Sequence, residues 1–148
     1  MILGIGNQLR GDDGLGPQAA LLIQQAKPQW PVRQLSDLSG VLDYLEESAD
    51  LCLLDCLQGA GPVGSLHSFD LLKQTLPPIR VGWSSHGFNL PALLGLSRHL
   101  GQQPRRLLLF GLEGACFAIG QGLSSPVAAN LETLCRRVIT EVQDFKPL

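Results

Sequence analysis

Three side chains far apart in the sequence are of types that bind divalent transition metals. Asp13 follows a short apolar segment at the start of the chain, Asp55 interrupts the apolar run DLCLLDCL, and His86 stands in the polar run SSHG. Carboxylate oxygens and an imidazole nitrogen suit borderline ions such as nickel or zinc. Three protein ligands leave a coordination position open for water or for a ligand of another molecule. The set therefore favours a site that recognises a metal held by a partner over one that keeps a permanent metal.

The two aspartate positions differ in how well a purely structural role explains them. Asp12 and Asp13 stand directly before Gly14, and Asp and Gly are common in turns for backbone reasons alone. The sequence leaves open which of these two carboxylates points inward. Asp55 is harder to explain as a structural residue, because a buried carboxylate is costly unless it is paired or binds a metal.

The three histidines also differ in their surroundings. His86 follows a predicted strand, where either a structural or a ligand role is open. His67 falls within another predicted strand, and His99 lies near a predicted helix end, where a positive charge suits the helix dipole. Only His86 is therefore a candidate ligand.

Short apolar runs alternate with amphipathic segments along the chain, which is typical of α/β proteins. A helix is predicted with Pro17 in its first turn, where proline is tolerated. Further helices are predicted at Gly40–Ser48, Leu90–Leu100 and Pro126–Val142. The predicted strands are Met1–Gly6, Val32–Leu35, Asp50–Leu57, Gly64–Phe69, Arg80–Ser84 and Arg106–Leu112.

These elements predict one α/β domain over residues 1–148, built in three layers. Its centre is a twisted, mostly parallel sheet of about five strands, with helices on both faces. Ligands of such sheets collect beyond the carboxyl ends of the strands. Asp13, Asp55 and His86 all follow or end predicted strands, so we expect them to converge on one crevice.

The composition excludes several classes of function. Of 148 residues, 45% are hydrophobic and 16% charged, which predicts a globular domain with a large core. A net charge of −2 and 5% aromatic residues argue against nucleic acid as a partner. No apolar stretch of about 18 residues is present, so no membrane insertion is expected.

The chain start and the cysteines indicate the compartment. The segment MILGIGNQLRGDDG lacks the basic start of a signal peptide, so a cytoplasmic location is expected. The four cysteines contain no CxxC pair, which argues against a zinc ribbon or a thioredoxin-type site. In a reducing cytoplasm they are expected to be free thiols, mostly in the core.

Four sequence blocks, taken together, resemble one known family. In order along the chain they are GIGNQLRGDDGLGP (Gly4–Pro17), LLDCLQGAGPVG (Leu53–Gly64), SSHGFNLPALL (Ser84–Leu94) and FGLEGACFAIGQGLSSPV (Phe110–Val127). Their content, order and spacing resemble the hydrogenase maturation proteases. The blocks span nearly the whole chain, whose length is also typical of that family.

The resemblance implies a function and a set of site residues. Members of the family cleave the C-terminal extension from a nickel–iron hydrogenase large-subunit precursor after nickel has been inserted. The family's metal-contacting positions fall on Asp13, where some members have glutamate, and on Asp55 and His86. These three are thus expected to be both the metal-binding and the catalytic residues. The nickel is expected to come with the precursor, and a monomer is expected.

The resemblance leaves the mechanism and the partner open. The nickel either acts as a Lewis acid on the scissile carbonyl or on water, or it positions the substrate while a carboxylate serves as general base. Which hydrogenase is the substrate is not indicated. The Gly-containing segments Gln58–Gly64 and Gly114–Ser125 are predicted to be exposed loops that contact the partner.

Other functions remain as alternatives. A non-catalytic nickel-dependent chaperone or docking module for the same precursor would need the same three residues. A nucleotide-binding enzyme is suggested by Gly4-Ile5-Gly6-Asn7, but Leu9 stands where the fingerprint requires a third glycine. A Cys56 nucleophile is disfavoured, because neighbours on a strand point to opposite faces and Cys56 would then point away from Asp55.

Overall fold

The centre of the molecule is a mostly parallel sheet. The computed structural model describes residues 1–46, 49–83 and 88–145, and these ranges contain six strands. The strands are β1 (Ile2–Ile5), β2 (Val32–Leu35), β3 (Asp50–Gln58), β4 (Leu66–Asp70), β5 (Arg80–Val81) and β6 (Arg106–Glu113). Their order is β2-β1-β3-β6-β4, in which the first four are parallel and β4 runs antiparallel to β6. The predicted fold class is therefore confirmed.

The largest departure from the predicted strands is at β5. Of the predicted strand Arg80–Ser84, only Arg80 and Val81 pair, antiparallel to Gln58 and Leu57 at the end of β3, and Ser84 lies outside the described residues. Gly82 follows with φ of +67°, and its N–H donates to the carbonyl of Cys56 at 2.7 Å. This turn folds the chain over the carboxyl end of β3 and ends the strand.

Four α-helices lie within the described ranges. They are α1 (Leu15–Ala26), α2 (Leu42–Leu45), α3 (Leu90–Leu100) and α4 (Ser125–Val142), and short 3₁₀ segments at Gly11–Gly14 and Leu38–Val41 precede α1 and α2. α1 begins two residues before Pro17, which still lies in its first turn. The helix predicted at Gly40–Ser48 is divided between a 3₁₀ segment and a single α-turn, and its last two positions lie outside the described residues. None of these helices is long and apolar enough to cross a membrane.

The side chains of β3 alternate between two cores. Cys52, Leu54 and Cys56 pack with α1 and α4 on one face of the sheet. Leu51, Leu53 and Leu57 pack with α2 and α3 on the other. Since successive side chains of a strand point to opposite faces, Asp55 belongs to the second face and Cys56 to the first.

The start of α1 lies unusually close to the sheet. A Cβ atom built on Gly16 would lie 2.2 Å from the carbonyl oxygen of Ile5 and 2.4 Å from that of Leu54. Only a residue without a side chain permits this approach. It places the 3₁₀ segment Gly11–Gly14, with its two aspartates, beyond the carboxyl ends of β1 and β3.

Candidate functional site

The carboxylate of Asp13 is buried and held by two backbone donors. The N–H of Asn7 donates to Oδ2 and the N–H of Trp83 donates to Oδ1, both at 2.9 Å. Burial raises the pKa of Asp13; the two N–H groups and the positive charge of Arg10 oppose this rise without cancelling it. Of the two neighbouring aspartates, Asp13 is the one that lies beside Asp55.

Asp55 is a buried acid with one unsatisfied oxygen. Its side chain is 1% exposed, and Oδ1 accepts a hydrogen bond from the N–H of Cys56 at 2.7 Å. Oδ2 has no hydrogen-bond partner among the described residues. Burial raises the pKa of Asp55 well above its ordinary value, and the charge of Asp13 raises it further. A buried group left in this state carries a substantial free-energy cost.

Asp13 and Asp55 meet in one small cavity, which we call the acidic crevice. Its volume is about 20 Å³, and a volume of roughly 10–15 Å³ on this measure accommodates one water molecule. It therefore has room for a single water or ion between the two carboxylates. The lining residues are Ile5, Gly6, Asp13, Ser36, Asp37, Leu38, Asp55, Val81, Gly82 and Trp83.

The acidic crevice is closed on one side by the turn after β5. A Cβ atom on Gly82 would lie 2.8 Å from Oδ2 of Asp55, so a glycine is needed for the backbone to pass over this carboxylate. Asp37 also lines the crevice, but its side chain is exposed and accepts a hydrogen bond from the N–H of Ser39 at 2.8 Å. Asp37 thus caps the following 3₁₀ segment.

The predicted third ligand, His86, lies outside the described residues. The last described residue before it is Trp83, whose N–H contacts Asp13. No group of three or more His, Cys, Asp or Glu able to hold a metal is found in the described ranges. The structure therefore brings together two of the three predicted ligands, and the position of His86 stays a prediction.

An aromatic pair with a cation borders the acidic crevice. The rings of Trp83 and Phe117 stack with centroids 5.1 Å apart, and the guanidinium carbon of Arg10 lies 5.9 Å from the centroid of the Trp83 ring. Both distances fall within the ranges of favourable stacking and cation–π interactions. None of these three residues is among the predicted site residues. The available signal was Gly82-Trp83 at the end of a predicted strand, where the glycine indicates a turn and one of only two tryptophans follows it.

Asp12 points away from the acidic crevice. It is fully buried and accepts four hydrogen bonds from the segment 115–124, which precedes α4. Burial alone would raise the pKa of Asp12, but three N–H groups and the hydroxyl of Ser124 hold it below its usual value. The two adjacent aspartates therefore have different surroundings.

Cys56 is not suited to act as a nucleophile. It lies in the core on the face opposite Asp55. Burial raises the pKa of its thiol, and Asp55, Asp12, Asp13 and Glu113 raise it further, so the reactive thiolate is disfavoured. All four cysteines are free, and three are buried, as expected.

A larger cavity of about 310 Å³ lies near the amino end of β1. The described residues that line it include Trp30, Pro31 and Phe145, and none is a carboxylate, histidine or cysteine. It lies at the amino ends of the strands, away from the acidic crevice. Because its described lining has no metal-binding side chain, its larger size does not make it the better candidate for metal chemistry.

Solved structures that match this chain define one class of fold, that of the hydrogenase maturation endopeptidases. The hydrogenase maturating endopeptidase HybD from E. coli matches with a TM-score of 0.72 and 19% identity, over 97% of this chain and 91% of that one. The [NiFe] hydrogenase maturation protease HycI from Thermococcus kodakarensis gives 0.70 and 20%, over 96% and 90%. A hydrogenase 2 maturation peptidase from Thaumarchaeota archaeon SCGC_AB-539-E09 gives 0.66 and 22%, over 96% of each chain.

Because the identities lie only between 19% and 22%, these matches show the fold alone. No family model and no curated protein sequence matches the chain. The fold implied by the resemblance of the four sequence blocks is thus confirmed, over at least 90% of each chain in these comparisons.

Proposed function

We propose that this protein is an endopeptidase that removes the C-terminal extension of a nickel–iron hydrogenase large-subunit precursor and recognises the nickel already inserted there. The observation that carries the proposal is Oδ2 of Asp55. This oxygen is buried, has no hydrogen-bond partner among the described residues, and shares a cavity of single-ion size with Asp13. A cation in that cavity would satisfy both carboxylates at once.

The donor set suits a transition metal carried by another molecule. Asp13 and Asp55 supply two hard oxygen ligands, and His86 is the proposed nitrogen ligand. Two or three protein ligands leave positions open for groups that the precursor keeps on its nickel. The proteins with the matching fold carry hydrogenase maturation in their names, which supports the same substrate class here.

The two carboxylates differ in ways that suggest separate roles. Both oxygens of Asp13 accept N–H groups, so its orientation is fixed, as a positioning ligand requires. Asp55 has an oxygen free of such bonds and a raised pKa, which makes it the better proton acceptor. We assign recognition of the nickel to both residues, and activation of the attacking water to Asp55. When bound, the precursor's nickel supplies positive charge that favours attack on the scissile carbonyl.

A cleavage assay tests the proposed function. Purified protein is mixed with a nickel-loaded large-subunit precursor and, in parallel, with the nickel-free precursor. The masses of the products are then measured by mass spectrometry. Loss of a C-terminal peptide from the loaded form alone supports the proposal. Cleavage of both forms alike would show that Asp13, Asp55 and His86 do not recognise nickel.

Isosteric variants separate binding from catalysis. Asp55→Asn keeps the shape of the side chain but removes its charge and basicity, so cleavage is expected to fall by about 10²–10⁴-fold. Glu132→Gln on the exposed face of α4 is a matched control, since it makes the same chemical change far from the crevice. If Asp55→Asn binds the loaded precursor as tightly as the parent but does not cleave it, a role in recognition only is excluded.

The same assay addresses the docking-module alternative. A chaperone that binds the precursor without catalytic turnover would leave the mass of the precursor unchanged, or would process no more than one precursor molecule per molecule of chaperone. Processing of a large molar excess of precursor by this protein would exclude that alternative.

A further inference from the structure

Asp12 makes a denser set of hydrogen bonds than a turn residue requires. Its Oδ2 accepts from the N–H of Ala115 at 2.8 Å, the N–H of Cys116 at 3.0 Å and the hydroxyl of Ser124 at 2.8 Å. Its Oδ1 accepts from the N–H of Ser124 at 2.7 Å. One buried carboxylate thus holds both ends of the segment 115–124.

The backbone beside Asp12 pairs with the same segment. The N–H of Asp12 donates to the carbonyl of Cys116 at 2.7 Å, and the N–H of Gly120 donates to the carbonyl of Leu9 at 2.8 Å. Arg10 and Ile119 form an antiparallel bridge between these two bonds. Residues 9–12 and 115–121 therefore form a small unit with its own pairing, separate from the main sheet.

This unit is connected to the acidic crevice through side chains. Phe117, which lies between the segment ends held by Asp12, stacks on the Trp83 ring. The N–H of Trp83 in turn donates to Asp13 at 2.9 Å. The connection runs from Asp12 to the segment 115–124, and from Phe117 of that segment through Trp83 to the carboxylate of Asp13.

We propose that Asp12 is a positioning residue, which holds the segment 115–124 so that Phe117 and Trp83 fix the carboxylate of Asp13 in the acidic crevice. The proposal rests on the proposed function for its effect on cleavage, but its structural part does not. Asp12 does not line the acidic crevice, so we assign it a role that acts only through its neighbours.

The chemistry explains why a carboxylate is needed at this position. All four groups that contact Asp12 act as donors. A carboxylate accepts on both oxygens, whereas an asparagine amide must turn its own N–H groups towards at least one of these donors. Asp12→Asn therefore brings two hydrogen-bond donors face to face in the buried interior, while the size of the side chain changes very little.

Tryptophan fluorescence tests the structural part without any substrate. In a Trp30→Phe background, Trp83 is the sole tryptophan of the chain. Asp12→Asn is expected to shift the Trp83 emission and to increase its quenching by acrylamide, because the stacking on Phe117 is loosened. Phe117→Leu is expected to produce a similar change, and Asp12→Asn added to Phe117→Leu should produce little more.

Cleavage of the nickel-loaded precursor tests the functional part. Asp12→Asn is expected to lower kcat by about ten- to hundredfold, as small displacements of catalytic groups do, with a much smaller change in KM. Ser124→Ala, which removes one of the four bonds and keeps the N–H of Ser124, is expected to have a smaller effect in the same direction.

The outcomes separate this proposal from the proposed function. A cooperatively folded Asp12→Asn with unchanged Trp83 fluorescence would overturn the proposal, whatever the activity. If Asp12→Asn does not fold, the activity of Phe117→Leu is the test instead. Full activity of that variant would likewise overturn the proposal. Failure of the parent protein to cleave any loaded precursor would overturn the proposed function alone, since the fluorescence coupling would stand.

Discussion

At the residue scale, Asp55 shows a conflict between stability and the proposed activity. Its carboxylate is buried, one oxygen lacks a described partner, and its pKa is raised well above the ordinary value by burial and by Asp13. The folded chain therefore binds a proton at Asp55 more tightly than the unfolded chain does. Stability must then fall as the pH rises from the unfolded pKa, near 4, towards the folded one.

Asp55→Asn is accordingly expected to stabilise the protein while it lowers the rate of cleavage. At pH 8 the free energy of unfolding should rise by about 1–3 kcal/mol, because the parent chain must either bury the charge of Asp55 or take up a proton when it folds. The gain should shrink towards pH 4, where the parent residue is protonated. Urea unfolding at both pH values measures this, with Glu132→Gln as the control. An equal loss of stability at both pH values would contradict the assignment.

Gly82 makes a second prediction at this scale. Its φ is +67°, and a Cβ atom would lie 2.8 Å from Oδ2 of Asp55. Gly82→Ala is expected to destabilise the protein by about 1–3 kcal/mol, through backbone strain and the clash together. Gly101 has a φ of +69° with no atom within 4 Å of its Cβ position, so Gly101→Ala measures the strain alone. Equal losses in the two variants would show that the turn does not press on Asp55.

At the scale of elements, local patterns predicted most of the sheet and the longer helices. β2 and α3 have the predicted bounds, and α4 begins one residue before its predicted start and ends at Val142 as predicted. These elements are defined by apolar spacing within the element itself. Asp55 was identified for the same reason, because one acid in an apolar strand is visible locally.

The features that were missed depend on contacts between distant segments. β5 ends early because Gly82 bonds to Cys56 on another strand. Asp12 is held by partners more than 100 positions away, whereas Asp13 is held by Asn7 and by Trp83, 70 positions away. The stacking of Trp83 on Phe117 is of the same kind. Sequence spacing carries no information about such pairs until the register of the sheet is known.

The close packing of α1 makes a prediction at this scale. Gly16→Ala would place a methyl group within 2.4 Å of the carbonyl oxygens of Ile5 and Leu54. The helix must move outwards, so a loss of at least about 2 kcal/mol is expected, together with lower activity, since α1 positions the two aspartates. Gly95→Ala in α3, with no atom within 4 Å of the new Cβ, is the control and should stabilise the helix slightly. Thermal unfolding of both variants measures the difference.

At the scale of the whole molecule, the surface beside the acidic crevice is predicted to contact the precursor. Leu9 and Ile119 are 71% and 72% exposed, and both belong to the unit formed by residues 9–12 and 115–121. Large apolar side chains that are exposed next to a site favour a role in binding a partner protein. The predicted loop Gln58–Gly64 is held at the same edge of the sheet, where Glu113 accepts from the N–H groups of Gly59 and Ala60.

Ile119→Ser tests this surface. KM for the loaded precursor is expected to rise with little change in kcat, because the residue contributes to binding and not to the reacting atoms. Leu100→Ser is the matched control. Leu100 is 52% exposed and is the last residue of α3, shortly before the amino end of β6. An unchanged KM for Ile119→Ser would place the contact surface elsewhere.

The bonds between Asp12 and the segment 115–124 also have a consequence for synthesis on the ribosome. Asp12 and Ser124 are 112 positions apart, so at about 5–20 residues per second Asp12 waits roughly 6–22 s for its last partner to be made. For most of that time β6, which lies between β3 and β4 and ends at Glu113, is also incomplete or absent. If Asp12 positions the carboxylate of Asp13 as proposed, a nascent chain is expected to order that carboxylate only after translation has passed residue 124.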